Sequence, residues 1–214
     1  MIEKATMHRQ EEIEIDLQNH NFITDELIFF WHKDTYSTSK HLLSLYSIVR
    51  GLQAKIILEI GFGRSSFVLA RAAHENNGRL ITCDNRDFRY LLSNDELTVT
   101  DYKLGSSELV WTDHDLKKTG IDFAFLDYFS SEEITENFVK NEIKHCLKLL
   151  KTNAVIVVHD VLVEKYAVGK VLRSLCRWNR NIEYSVLPYN YGLGVIHYTG
   201  SSPFGSLKDL WLKQ

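Results

Sequence analysis

Short apolar runs in this chain end at polar groups with the types and spacing to do chemistry. The run 56–60 carries Glu59 one step before Gly61-Phe62-Gly63, and residues 79–84 close on Asp84. Residues 121–127, Ile-Asp-Phe-Ala-Phe-Leu-Asp, close on Asp127, and the run 155–158 leads into His159-Asp160. Carboxylates suit ribose hydroxyls, cationic ligand groups or a hard divalent cation. A histidine whose neutral form accepts a proton near pH 7 suits a general base. One acid ending a strand is commonplace, a cap for the next helix. Three in succession, with a histidine, point to a site.

These groups need elements that bring them to one edge. Residues 55–67, Lys-Ile-Ile-Leu-Glu-Ile-Gly-Phe-Gly-Arg-Ser-Ser-Phe, read as a buried parallel strand, a glycine turn and a helix start. That is the first unit of a doubly wound α/β sheet. The glycines let the backbone approach a ligand, and the helix start offers free N–H groups to anything polar or negative. Glu59 is costly to bury alone. It either orients the turn or holds a cationic ligand group, and the two are compatible. Asp84 lies about twenty residues beyond the turn, where a carboxylate meets a ribose diol, so a nucleoside-bearing cofactor is expected. A nicotinamide oxidoreductase would use the same turn and acid.

Glu59 with Gly61-x-Gly63-x-Ser65-Ser66, followed by Asp84, resembles the class I S-adenosylmethionine-dependent methyltransferases. The resemblance spans roughly residues 38–198. It implies a Rossmann-like methyltransferase fold, with a mostly parallel seven-stranded sheet, a terminal antiparallel hairpin and helices on both faces. It implies S-adenosylmethionine as cofactor and a small-molecule methyl acceptor, with oxygen as the nucleophile. The glycine turn, with Gly61, Gly63, Ser65 and Ser66, would hold the methionine end, with Glu59 near its ammonium. Asp84 and Asn85 would meet the ribose, Ser106 and Ser107 the adenine, and Asp127 the cofactor's near side. The acids at Asp127 and Asp160 resemble those that hold a magnesium-like ion in metal-dependent O-methyltransferases. His159-Asp160-Val161 resembles still more a small bacterial group whose fifth strand ends in His-Asp-Val. There are departures. Val161 stands where the catechol-type enzymes have asparagine. Tyr128-Phe129-Ser130-Ser131 stands where the relatives have a lysine base or Asp-His. His159, beside Asp127, is left as the base candidate, against a packing role. The departures also keep a non-catalytic binding protein on this fold in play.

The remaining chain frames that core. Its 214 residues, 44% hydrophobic, suit one domain with trimmings: an N-terminal segment 1–50, a core 51–199 and a tail 200–214. A net charge of −3 argues against a nucleic-acid or anionic-membrane binder. Cys83, Cys146 and Cys176 form no C-x-x-C pair and read as reduced thiols of a cytoplasmic protein, and no apolar run has membrane length. The aromatic stretch 22–32, with a helix start at Thr24-Asp25, covers the sheet edge or forms a lid. Tyr36 to Ser39 cap a helix from Lys40 to Leu52, with Tyr36 and Ser39 as substrate-side candidates. Further expectations are a helix from Asn85 through Leu92, a third strand 97–102, and a polar helix 113–119 ended by Gly120. A Ser130-Ser131-Glu132-Glu133 capping box opens a helix to about Leu150. Asn153 takes the left-handed conformation at the following turn. A helix over 163–178 precedes a hairpin of 182–187 and 194–198. An amphipathic helix over 204–214 needs the sheet or a second subunit to cover it, which would make a homodimer.

Overall fold

The computed structural model of the protein describes residues 23–33, 38–128, 134–178 and 181–199. Helix α1 is Ile23–Lys33 and α2 is Leu42–Leu52, entered through a 3-10 turn at Thr38–His41. Strand β1 (Ile56–Ile60), α3 (Arg64–Glu75) and β2 (Arg79–Asp84) follow. Helix α4 (Asn94–Thr98), β3 (Thr100–Leu104), α5 (Glu108–Trp111), α6 (His114–Thr119) and β4 (Ile121–Leu126) come next. The chain continues through α7 (Glu136–Leu149), β5 (Leu150–His159), α8 (Val168–Trp178), β6 (Ile182–Leu187) and β7 (Leu193–Tyr198).

The strands form one sheet in the order β3-β2-β1-β4-β5-β7-β6. The first five run parallel, and β7 lies antiparallel between β5 and β6. The expected fold class and its terminal hairpin are therefore present. Parallel strands covered on both faces need apolar runs rather than alternation. Ile57, Leu58, Phe123, Ala124, Phe125, Leu126, Ile156, Val157 and Val158 are fully buried, as that requires. On one face α3 brings Val68, Leu69, Ala70, Ala72 and Ala73 against the sheet and α2, all fully buried. On the other, Val139, Ile143 and Cys146 of α7 and Leu172 and Leu175 of α8 close a second core.

Ladder hydrogen bonds continue to the carboxyl ends of the strands and align them. Gly61 N donates to Cys83 O at 3.0 Å, Asp127 N to Ile60 O at 3.0 Å, and Gly105 N to Asp84 O at 2.8 Å. Gly61, Asp84 and Asp127 thus emerge along one edge, with His159 and Asp160 beside them across the β4–β5 pairing.

Several local readings are corrected. Residues 85–92 form only a 3-10 turn at Arg89–Leu91. Asp84 accepts from Arg86 N at 2.8 Å and Asp87 from Arg89 N at 3.0 Å, and such local bonds compete with a helix. The strand expected over 97–102 begins at Thr100. A capping box between Ser93 and Glu96 commits residues 94–98 to α4 instead. The last helix starts at Val168 rather than 163, because Val163 N and Tyr166 N bond back into successive turns. The fifth strand is longer than the run 155–158. Asn153 does take a positive φ of 64° within it. Helix α7 is capped by Thr135, whose hydroxyl accepts from Phe138 N at 3.2 Å. The proposed Ser130–Glu133 cap, Tyr36 and the tail helix over 204–214 lie outside the described residues. Among the described residues, no helix is long and apolar enough to cross a membrane.

Candidate cofactor-binding and catalytic site

The glycine turn between β1 and α3 is shaped by a constraint at Gly61. Its φ is +98°, and a Cβ there would lie 2.4 Å from the backbone oxygen of Asp127. Only glycine lets β1 and β4 end so close together. Gly63 differs: a Cβ there would meet nothing within 4 Å. It is one of the residues lining a cavity of about 520 Å³, with Thr38, Gly61, Phe62, Arg64, Ser65, Asp84, Asp127 and Tyr128.

Glu59 sits behind this turn rather than in the cavity. It is fully buried, accepting from Ser65 Oγ at 2.6 Å, Ser66 Oγ at 2.6 Å and Thr82 Oγ1 at 2.8 Å. Ser66 Oγ in turn accepts from Gly63 N at 3.0 Å. The carboxylate therefore fixes the turn through two serines, and the reading that put it beside a ligand ammonium is replaced by the structural one. Burial pushes its carboxyl up to about 7, against the pull of the three hydroxyls. Of the two serines, Ser65 lines the cavity and Ser66 is fully buried.

Asp84 reaches the cavity from β2. Its Oδ2 accepts from Phe62 N at 3.0 Å and its Oδ1 from Arg86 N at 2.8 Å. The β1 turn and the β2 end are thus tied through the carboxylate. Asn85 is exposed beside it. Phe62 stands near Phe88, with ring centroids 6.2 Å apart, and edge-on to Tyr102 at 5.3 Å. Ser106 is exposed after β3, whereas the Ser107 hydroxyl turns inward to Glu142 at 2.7 Å.

Asp127 is the acid at the end of β4. Its Oδ2 accepts from Thr38 Oγ1 at 2.5 Å and its Oδ1 from His159 Nδ1 at 3.1 Å. Burial alone would raise its carboxyl, but the hydrogen bond and charge of His159, then Thr38, hold it below its ordinary value. His159 Nδ1 is also 3.2 Å from Asp160 Oδ1. Burial lowers the imidazole, yet the two aspartates outweigh it and raise its pKa above the ordinary value. Asp160 itself adopts a φ of +63°, unusual for an aspartate, which swings its carboxyl back toward the ring. One donor atom from each of Asp127, His159 and Asp160 lies within 4.8 Å of the others.

His159 is only 5% exposed, and among the described residues its buried Nε2 has no partner within hydrogen-bond geometry. The His41 ring meets it edge-on at 5.2 Å and stacks on Tyr189 at 4.6 Å. His41 Nε2 bonds the carbonyl of Asn190 at 3.2 Å. So His159 stands behind Asp127, which lines the cavity, and the sequence reading, which left it between a base and a packing role, did not foresee its burial.

Sequence reasoning passed over Thr38, His41, Tyr128 and Glu142. Two left a signal. His41, Leu45 and Val49 share one helical face, and so do Val139, Glu142, Ile143 and Cys146. A polar group on an apolar stripe needs a partner inside the fold.

Residues 58–161 match the family model described as a methyltransferase domain. Similar solved structures include an S-adenosylhomocysteine-bound methyltransferase from Podospora anserina, 16% identical, with a TM-score of 0.59 over 89% of this chain and 95% of that one. An O-methyltransferase from Bacillus cereus in complex with S-adenosylhomocysteine is 16% identical, with a TM-score of 0.58 over 87% and 96%. A methyltransferase from Geobacter sulfurreducens is 14% identical, with a TM-score of 0.62 over 89% and 97%. The fold is that of the class I methyltransferases. No curated protein matches the sequence. In this methyltransferase fold, the cavity between Gly61, Gly63, Asp84 and Asp127 lies at the carboxyl edge of the sheet, where ligands of open α/β folds bind.

Proposed function

We propose that the protein is an S-adenosylmethionine-dependent methyltransferase acting on an oxygen of a small molecule. The observation that carries this reading is the cavity lined by the Gly61–Ser65 turn together with Asp84 and Asp127. Those residues fit the cofactor. The turn N–H groups and the start of α3 suit an amino-acid carboxylate. The Asp84 carboxylate is held by Phe62 N at a place suited to ribose hydroxyls. The cofactor supplies the methyl group on a sulfonium, and the acceptor oxygen displaces it in line. The chain's own work is to position that oxygen and accommodate its proton.

Asp127 is the carboxylate nearest that task, oriented by Thr38 and His159. It would accept a hydrogen bond from the acceptor hydroxyl, while His159 stabilises its charge from behind. The Asp127, His159 and Asp160 donors also fit a divalent cation, whose bound form would lower the acceptor's pKa. His159 would then be a third ligand through the nitrogen that otherwise bonds Asp127. On this reading residues 51–199 are the cofactor-binding core, with the segment 1–50 as a lid.

A second reading, binding without turnover, is favoured by the burial of His159 and the Tyr128 found after Asp127. Calorimetric titration with S-adenosylhomocysteine, with and without magnesium, tests both. Micromolar binding abolished by Asp84→Ala supports the cofactor site, and a magnesium-dependent heat lost in Asp160→Ala supports the cation. Binding without methylation across an acceptor screen favours the second reading. No binding at millimolar ligand overturns the enzyme reading.

A further inference from the structure

One buried carboxylate outside the cavity collects donors from two segments at the carboxyl edge of the sheet: the turn after β3, tied to the cavity-lining Asp84 by the Gly105 N–Asp84 O bond of 2.8 Å, and the end of β4. Glu142, in the middle of α7, is 7% exposed. Its Oε2 accepts from Ser107 Oγ at 2.7 Å and from Trp111 Nε1 at 3.0 Å, and the Tyr128 hydroxyl donates to the same oxygen. Ser107 belongs to the turn after β3, and Tyr128 follows the end of β4 and lines the cavity. These two segments have no ladder bond to each other, because β2 and β1 stand between β3 and β4. At this edge Glu142 is a side-chain link between them that bypasses the sheet. Its cost is explained only by what it positions, since an apolar residue would complete the Val139, Ile143 and Cys146 stripe.

We propose that Glu142 is a positioning residue for the nucleoside end of the cofactor, holding the Ser106–Ser107 turn, which adjoins Asp84, at a fixed separation from the cavity-lining Tyr128. The inference rests on the cofactor reading above. The cation demand at Glu142 is met by neutral donors alone: a hydroxyl, an indole N–H and a phenol. Burial and the neighbouring Glu142 charge raise the Tyr128 phenol, so it stays a donor across the working pH range. The link depends on acceptor geometry. Glutamine, which keeps an acceptor oxygen in the same place, should preserve it. Leucine should remove it and leave three inward-facing donors without their acceptor.

The test is calorimetric titration of wild type, Glu142→Gln and Glu142→Leu with S-adenosylhomocysteine and with 5′-methylthioadenosine, which keeps the nucleoside end and lacks the amino acid. Glu142→Leu is expected to weaken both ligands by a similar factor, on the order of tenfold, with Glu142→Gln within about threefold of wild type. Unchanged binding in Glu142→Leu overturns the proposal, and so does weakening confined to S-adenosylhomocysteine. If Glu142→Leu does not fold, Tyr128→Phe removes one donor and keeps the ring. Weaker methylthioadenosine binding there supports the link, and wild-type binding overturns it. Absence of S-adenosylhomocysteine binding in the wild type overturns the cofactor reading itself, a different result from loss in the variant alone.

Discussion

The two glycines of the β1–α3 turn should respond to the same substitution in opposite ways. In Gly61→Ala the new methyl would lie 2.4 Å from Asp127 O, a backbone atom fixed by the β1–β4 ladder. The residue would also hold its φ of +98° with a side chain. The left-handed region costs about 1–2 kcal/mol, and overpacking a rigid neighbour adds about 1–3 kcal/mol. For a chain of this size that sum of roughly 2–5 kcal/mol lowers Tm by about 5–15 °C. In Gly63→Ala the methyl meets no protein atom within 4 Å, and φ is −171°, an extended value open to any residue. The only folding cost is a poorer N-cap for α3, about 1 kcal/mol or less. Gly63 lines the cavity, so on the proposed cofactor reading a methyl there should weaken S-adenosylhomocysteine binding tenfold or more, about 1.4 kcal/mol. Thermal melts with and without ligand, with calorimetry on both variants, read this out. Gly63→Ala binding as wild type does, or Gly61→Ala melting with it, would refute the assignment of one glycine to packing and the other to ligand approach.

Three further outcomes follow from the buried groups. Because the folded-state carboxyl of Glu59 is raised from 4.5 to about 7, the native state holds a proton that the unfolded chain has already lost. Stability therefore falls as pH rises through that window, and Glu59→Gln should flatten the slope of the urea midpoint against pH there. Asp127 is depressed, so its contribution is present at neutral pH and lost as pH falls through its folded value. Thr38→Val removes the Oδ2 donor and should move that carboxyl upward in an NMR titration, with no shift meaning that the hydroxyl does not hold it. Cys83 and Cys146 are buried and Cys176 is half-buried, with burial the leading cause that raises all three thiols. Ellman's reagent should label Cys176 slowly at most in the native protein and all three thiols after denaturation; rapid native labelling of Cys83 would contradict the packing.

The alternation of apolar runs with glycine and acid was legible because a parallel strand buried on both faces has to be apolar throughout, and its first polar residue marks where it leaves the core. That is why Asp84, Asp127 and His159-Asp160 could be placed on one edge from the sequence, and why Gly120 could be assigned to a turn; Asn153 keeps its positive φ but lies inside β5 rather than in a turn before it. The short connections were harder. Residues 85–92 and 97–102 carry patterns compatible with helix and strand, and Asp87 and the Ser93–Glu96 box decided between them through local bonds a few residues long.

What the chain determines by itself is the succession of its strands, the turn that must be glycine and the acids that end three of the strands, since these follow from burial and backbone conformation along the sequence. Which way those side chains face was decided by tertiary structure. Glu59 is enclosed by Ser65, Ser66 and Thr82, the last from a neighbouring strand. His159 is enclosed by Asp127, Asp160 and a His41 more than a hundred residues away, and Glu142 by donors from two other elements. A buried polar group is oriented by whatever partners the fold brings to it, and those partners are distant in sequence. Only the packed structure separates an acid that lines the cavity, such as Asp84, from one that holds the turn beneath it.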